Sequence, residues 1–442
     1  MADVQQIAAN WKIIAALVIF IITYAIIISE KINRSIIAIC GAILMVIFGI
    51  VDLHVASTEH IHWETIFLLF GMMILVGIAN KSGVFQYIAI KTAQSAKGDP
   101  KKILVRLALL TAVGSAFIDI VTMVLLITPI TIAISRTLHM NPIPFLITEI
   151  MLCNIGGAAT LVGDPPNIMI GVAAGISFNE FLIHITPLII VIAFVVLTYL
   201  AFHFKKYLHV KDEYKQGLMD IEAQDYIQDT ALARKSVFVF ILTLLGFVSH
   251  QFLHLEPAVI ALSGAALLLL IGIKESDLDE VYHSVEWVTI FFFIGLFILV
   301  GGLIEVGIIS KAASWMIEIT NGNTTFTALT LLWGTGIISG FVDNIPLVTT
   351  MIPLVQDMGA QLALSPVELS TLWWSLALGA CLGGNGTLIA SSANLIVASI
   401  AVREGAPISF VDFLKISIPV TLLSLVLATV YVFIVFIKLG FA

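Results

Sequence analysis

Four polar islands interrupt an otherwise apolar chain, and between them they hold the side chains whose types and spacing could do chemistry. Two are short and centred on carboxylates: Asp119, and the pair Asp343-Asn344. Two are longer: Asn154-Ile-Gly-Gly-Ala-Ala-Thr-Leu-Val-Gly-Asp-Pro-Pro-Asn167 and Gly383-Gly-Asn-Gly-Thr-Leu-Ile-Ala-Ser-Ser-Ala-Asn394. A carboxylate at mid-membrane costs about 2.5–3.5 kcal/mol on insertion scales and ordinarily marks an ion or proton path. Proline removes a backbone donor and glycine loosens the chain, so both longer islands should break their helices. Irregular backbone at membrane depth is tolerated only where it is buried in protein or lines a cavity. The chemistry on offer is therefore ion binding. Gly156-Gly157 and Gly383-Gly384 let the backbone approach a small ligand, Thr160, Asn167, Asn385, Thr387 and Asn394 offer side-chain oxygens, and Asp119 and Asp343 offer charge. Asp164, ahead of Pro165-Pro166, reads equally as the N-cap of a restarting half-helix and as a ligand. Ser391-Ser392 replaces that run in the second island, so the two islands are not equivalent.

The elements that must position these residues follow from composition. Of the 442 residues, 60% are hydrophobic and 11% charged, against about 25% charged in soluble domains. The chain is a polytopic membrane protein. A span takes about 20 apolar residues, and the first candidates are Lys12–Ser29, Ser35–Val51 and Thr65–Asn80. The first of these lacks a small-residue cleavage site and reads as a retained helix. A polar basic stretch follows at 81–102, then a re-entrant hairpin over 103–138 with Asp119 at its tip, a broken helix over 142–175, and a span over 181–204. Residues 205–235 form a hydrophilic cytoplasmic linker, after which the chain starts again.

That restart is an internal repeat. Trp63-Glu-Thr-Ile-Phe-Leu-Leu-Phe-Gly71 returns as Trp287-Val-Thr-Ile-Phe-Phe-Phe-Ile-Gly295, an offset of 287 − 63 = 224. The same offset carries Asp119 onto Asp343 and Pro129 onto Pro353, and a slightly larger one, 227, carries Gly156-Gly157 onto Gly383-Gly384, Thr160 onto Thr387 and Asn167 onto Asn394. The expected architecture is all-α: two repeats, 1–204 and 236–442, each with five transmembrane helices and a re-entrant hairpin, the second hairpin at 326–361 and the second broken helix at 367–402. An odd number of spans inverts the second repeat, and paired broken helices meeting near the midplane are the architecture of many secondary transporters. With the N-terminus outside, Lys31, Arg34, Lys81, Lys91, Lys97, Lys101, Lys102, Arg106 and the linker lysines fall inside, as the positive-inside rule requires. Both termini are then outside.

Other candidates are weaker. Cys40, Cys153 and Cys381 are scattered in apolar runs and form no metal or disulfide pattern; Cys153 and Cys381 neighbour the glycine pairs, where a thiol could meet trivalent arsenic, but buried cysteine is usually a small hydrophobe. His54, His60 and His62 read as a solvated loop, and Glu149 and Glu305 as helix ends or proton relays. There is no Walker A motif, no catalytic constellation and no cofactor motif, so the chain reads neither as an enzyme nor as a nucleic-acid binder.

Gly156-Gly-Ala-Ala-Thr-Leu-Val-Gly-Asp-Pro-Pro-Asn167, with Asp343-Asn344 and Gly383-Gly-Asn-Gly-Thr387, resembles the ion transporter superfamily over essentially the whole chain. The likeness is to the branch of ArsB arsenite pumps, NhaD-type sodium/proton antiporters and the melanosomal P protein, and more distantly to sodium-coupled dicarboxylate transporters. It implies a scaffold domain, a moving transport domain, homodimerisation through the scaffold halves, and a site made by position of Asp119, Thr122, Asn154, Thr160, Asp164, Asn167, Asp343, Asn344, Asn385, Thr387 and Asn394, with the paired glycines beside them. Two positions depart from the pattern: the first tip reads Asp119-Ile120 rather than Asp-Asn, and Ala390 stands where glycine is more usual. The expected function is cation antiport, sodium for protons, with sodium at Asp343, Asn344 and Asp119, in a bacterial-type plasma membrane and with lipid around it. The alternatives are proton-coupled arsenite or antimonite efflux, transport of a carboxylate anion, and, from another class, an ion channel.

Overall fold

The computed structural model describes residues 2–29 and 31–441, residues 2–9 by their backbone alone. The predicted placement of the chain ends concerns Met1 and Ala442, which lie outside the described residues. Among the described residues there is helix and no strand. The first half runs α1 (Ala2–Ser29), α2 (Arg34–Ile47), the short α3 (Leu53–Val55), α4 (Trp63–Lys81), α5 (Val84–Ser95), α6 (Pro100–Ser115), α7 (Ile120–Thr137), α8 (Ile143–Gly157), α9 (Pro165–Ala174), α10 (Phe178–His184) and α11 (Thr186–His203). After α12 (Asp212–Met219) the second half runs α13 (Thr230–Leu253), α14 (Pro257–Gly272), the short α15 (Leu278–His283), α16 (Trp287–Glu305), α17 (Ile308–Ile319), α18 (Thr324–Ser339), α19 (Asn344–Gln361), α20 (Pro366–Gly383), α21 (Ser392–Arg403) and α22 (Phe410–Tyr431). Helices α4–α7 begin and end 224 residues before α16–α19, since 287 − 63 and 361 − 137 both equal 224.

Two interlocked groups of helices result. In the first, α2 packs along α16 and α4 along α14, with α1 and α13 beside them. Glycine lets these backbones approach: a Cβ at Gly71 would meet the Ala261 carbonyl carbon at 2.7 Å, and one at the matching Gly295 would meet that of Ala38 at 2.6 Å. Small residues at such crossings are how membrane helices pack in the absence of a hydrophobic driving force. In the second group α6 lies along α8 and α18 along α20, while α9 meets α19 and α20, and α21 meets α7 and α8. Each broken helix is thus clasped by the opposite repeat.

Three boundaries differ from the sequence reading. The polar stretch 81–102 contains α5, a helix with a buried face of Val84, Ala89, Ile90 and Ala93 that the lysines around it disguise. The 205–235 segment is docked rather than free: Gln94 Nε2 donates to the carbonyls of Leu218 (3.1 Å) and Ile221 (2.6 Å), and Gln228 N donates to Ser82 O at 3.0 Å. The 181–204 span is α11 alone, because residues 181–184 belong to the short helix α10, itself bent 111° from α9.

Ion pairs tie the two halves end to end. Lys81 pairs with Asp277 (3.7 Å) and Glu280, and Arg136 with Glu404 (2.7 Å), at the end where the connecting segment docks. His60 pairs with Glu305 (3.1 Å) at the opposite end. Of the 21 Lys and Arg, Lys12, Lys311 and Lys438 lie toward the His60–Glu305 end, and the others lie toward the docked segment.

Candidate functional site

Local backbone chemistry sets the site. Asp119 caps α7, its Oδ1 accepting from the backbone N–H groups of Val121 and Thr122, both at 3.0 Å, and its Oδ2 from the Thr122 hydroxyl. Asp343 caps α19 in the same way, through Ile345 N at 3.0 Å. Asp164 also sits at an N-cap, of α9, yet its side chain caps nothing. The reason is chemical: the next two residues are prolines, which have no N–H to give. Its carboxylate is left to accept from Asn344 Nδ2, at 3.2 Å, across the interface between the repeats.

At the centre, Asn154, Asn385 and Asn394 close a buried network, with Asn167 beside them. Asn154 Nδ2 donates to Asn385 Oδ1 (2.9 Å) and Asn394 Oδ1 (2.8 Å), and Asn385 Nδ2 donates back to Met151 O (3.2 Å). Asn167 Nδ2 holds the carbonyls of Ala158 (3.2 Å) and Thr160 (2.9 Å) around its own break. Asn394 does the same in the second repeat, to Gly384 O (2.8 Å) and Thr387 O (2.9 Å). Cys381, which the 227 offset places opposite Asn154, donates its thiol to Asn167 Oδ1 at 3.4 Å, and Cys153 donates to Ile120 O at 3.5 Å. The Thr160 hydroxyl donates to the Ala116 carbonyl at the first tip, while the buried Thr387 hydroxyl has no partner. The paired glycines serve contact as well as flexibility: a Cβ at Gly156 would meet Ala112 O at 2.1 Å, and one at Gly383 would meet Gly336 O at 2.5 Å.

Arg34, at the first turn of α2, completes the site. Its guanidinium donates to Asp343 Oδ2 at 3.1 Å and to the Ser392 hydroxyl, which itself donates to the same carboxylate oxygen at 2.8 Å. The guanidinium also lies over the Phe292 ring, 4.9 Å from its centre. A cavity of about 380 Å³ opens beside it, lined by Glu286 and Thr289 on one side and Val121 and Leu125 of α7 on the other. The sequence reading took Arg34 for an ordinary basic loop residue and did not single out Glu286. The available signal was a lone arginine opening a span that has no other charge.

The expected sodium ligands are not gathered at one point. Asp343 is turned to Arg34, Asn344 to Asp164, and Asp119 to its own helix. No cluster of three or more His, Cys, Asp or Glu able to hold a metal occurs among the described residues. The helix ends do converge. Asn344 at the start of α19 reaches the N-cap of α9, and Asp343 reaches Ser392 at the start of α21. Each such end carries about half a positive charge. With Arg34 they oppose the charge of Asp343 and Asp164.

These features can be set beside known proteins. A family profile described as citrate transporter matches residues 24–379. The chain is 41% identical to an uncharacterized transporter of Mycobacterium tuberculosis, over 95% of this chain and 97% of that one. It is 31% identical to the P protein of Mus musculus, over 97% of this chain and 61% of that one. Its fold resembles the crystal structure of the Alcanivorax borkumensis YdaH transporter, with a TM-score of 0.56, 85% of each chain covered and 14% identity.

Proposed function

The chain belongs to the citrate transporter family, and from that premise we propose that this membrane transporter is a secondary active exchanger working by alternating access, taking a small cation, sodium first, against protons. The observation that carries this reading is the Arg34–Asp343 pair. Arg34 sits on the α2–α16 group and Asp343 on the tip that enters the asparagine group, so the pair joins two bodies that must shift against each other. A proton or cation arriving at Asp343 replaces the guanidinium and releases that tie. Occupancy and movement are coupled by one exchangeable counter-charge. The basic end faces the cytoplasm under the positive-inside rule, in a bacterial-type plasma membrane with both chain ends outside, and the α1–α4 and α13–α16 groups meet in a homodimer.

In inverted vesicles acidified by respiration, addition of sodium or lithium should collapse the pH gradient. Arg34→Gln and Asp343→Asn should each abolish that response while the protein still inserts and purifies. No proton movement with sodium, lithium or potassium would refute the antiport reading.

A second reading is favoured by the family's description and by the convergent helix N-termini beside Arg34, which together suit an anion: uptake of a carboxylate such as citrate with protons or sodium. Radiolabelled citrate accumulation in the same vesicles, without cation-driven proton movement, selects it. Arsenite efflux has less support, because both candidate thiols already donate to protein oxygens.

A further inference from the structure

We propose that the groove between α6 and α11 is a binding site for one anionic phospholipid, whose acyl chain lies against the first hairpin tip. The groove encloses about 830 Å³ and runs from Lys101 and Lys205 to Ala116, Phe117 and Thr160. From Lys101 to Ala116 the rise along α6 is about 22 Å at 1.5 Å per residue, more than the roughly 15 Å of half a bilayer's hydrocarbon. Its wall is apolar, and its hydroxyls are already committed. Thr160 donates to Ala116 O, Thr186 to Ala159 O at 2.7 Å, and Thr198 to Phe194 O at 2.8 Å. None of these hydroxyls has a proton left to donate to a soluble anionic substrate. The two lysines stand at one end, where a phosphate would sit at the membrane surface and attract basic side chains.

The second repeat shows what a closed version looks like. There Trp333 Nε1 donates to Thr429 Oγ1 at 2.9 Å across the matching gap between α18 and α22, and Leu425 presses on the site of a Gly336 Cβ at 2.7 Å. The equivalent positions in the first repeat are Leu109 (333 − 224) and Ala112 (336 − 224) on α6, with Leu197 (429 − 232) and Ala193 (425 − 232) on α11, because Ile176-Ser-Phe178 returns as Ile408-Ser-Phe410 and Pro187 as Pro419, an offset of 232. Leu109 is 45% exposed, and the small Ala193 stands where Leu425 fills the second groove, so the first groove stays open. The first hairpin also lacks the side-chain ties that hold the second. Pro257 and Leu244 stand where Arg34 and Tyr24 would be, since Gly41 and Thr23 of the first half match Gly264 and Thr243 of the second, offsets of 223 and 220, so a lipid chain would be the element bracing that tip.

The test is native mass spectrometry of the full chain released from nanodiscs of equal palmitoyl-oleoyl phosphatidylglycerol and phosphatidylcholine. The wild-type protein should retain one phosphatidylglycerol in several-fold preference. Lys101→Gln with Lys205→Gln, both exposed and safe for folding, should remove that preference. Leu109→Trp with Ala193→Leu, which copies Trp333 and Leu425 of the closed repeat, should lose retained lipid of both kinds, with the thermal midpoint in detergent as the check on folding. Equal retention of the two lipids by the wild-type chain, or undiminished retention by the folded groove-filled variant, overturns the proposal.

Discussion

At the scale of single residues, the polar side chains divide into those that hold the breaks and those that can exchange partners. Asn154 belongs to the first kind: Asn154→Ala removes its bonds to Asn385, Asn394 and the Gly384 carbonyl and the one it accepts from Ser391, and leaving a buried polar group unpaired costs about 1–3 kcal/mol. A clearly lowered thermal midpoint in detergent is expected, with transport lost. Arg34 belongs to the second. Arg34 and Asp343 keep 26% and 16% of their side-chain surface, so breaking the pair should cost about 1–3 kcal/mol, between exposed and buried pairs. Arg34→Gln should therefore destabilise more than Arg34→Gln combined with Asp343→Asn, in which no charge is stranded; a double variant no more stable than the single would count against the pair. The positions of these residues were legible because Asn and Asp are conspicuous in an apolar chain. Their partners were not. Pro165-Pro166 already deny Asp164 its cap, but its partner Asn344 is 180 residues away, and the lone Arg34 had no visible partner until α19 was brought to it.

At the scale of elements, glycine decides which helices touch. Gly156→Ala places a methyl group on the Ala112 carbonyl, and forcing α8 off α6 costs about 1–3 kcal/mol or more. Gly334, inside α18, has nothing within 4 Å of a Cβ, so Gly334→Ala should be neutral or gain up to about 1 kcal/mol from helix propensity. Parallel thermal unfolding of the two variants checks both signs. The helices and their repeat were largely legible, since capping residues such as Asp99, Asp119, Asn323 and Asp343 announce their starts. What escaped was tertiary. Around α5 the flanking lysines masked a buried face, and the hairpin arm α6 chose α8 over its own partner α7 because Gly156 lets α8 come closer.

For the whole molecule, the two hairpins share a sequence pattern and differ in how they are fastened. The second is tied to the first group of helices by Arg34 and by Tyr24, whose hydroxyl donates to Pro346 O at 2.9 Å and lies 2.9 Å from Thr350 Oγ1. Hydrogen exchange should therefore be slower at residues 341–346 than at 117–122, and Tyr24→Phe with Arg34→Gln should bring the two tips level; equal exchange in the wild-type protein would argue against asymmetric fastening. The asparagine network has a consequence of a different order, for biosynthesis. The partners of Asn154 are 231 and 240 residues downstream. At about 5–20 residues per second, that is roughly 10–50 s of synthesis during which the first broken helix sits in or beside the membrane with its amide unmet. The nascent first half must wait, shielded by the insertion machinery or by its own hairpin, until the second half arrives to finish it.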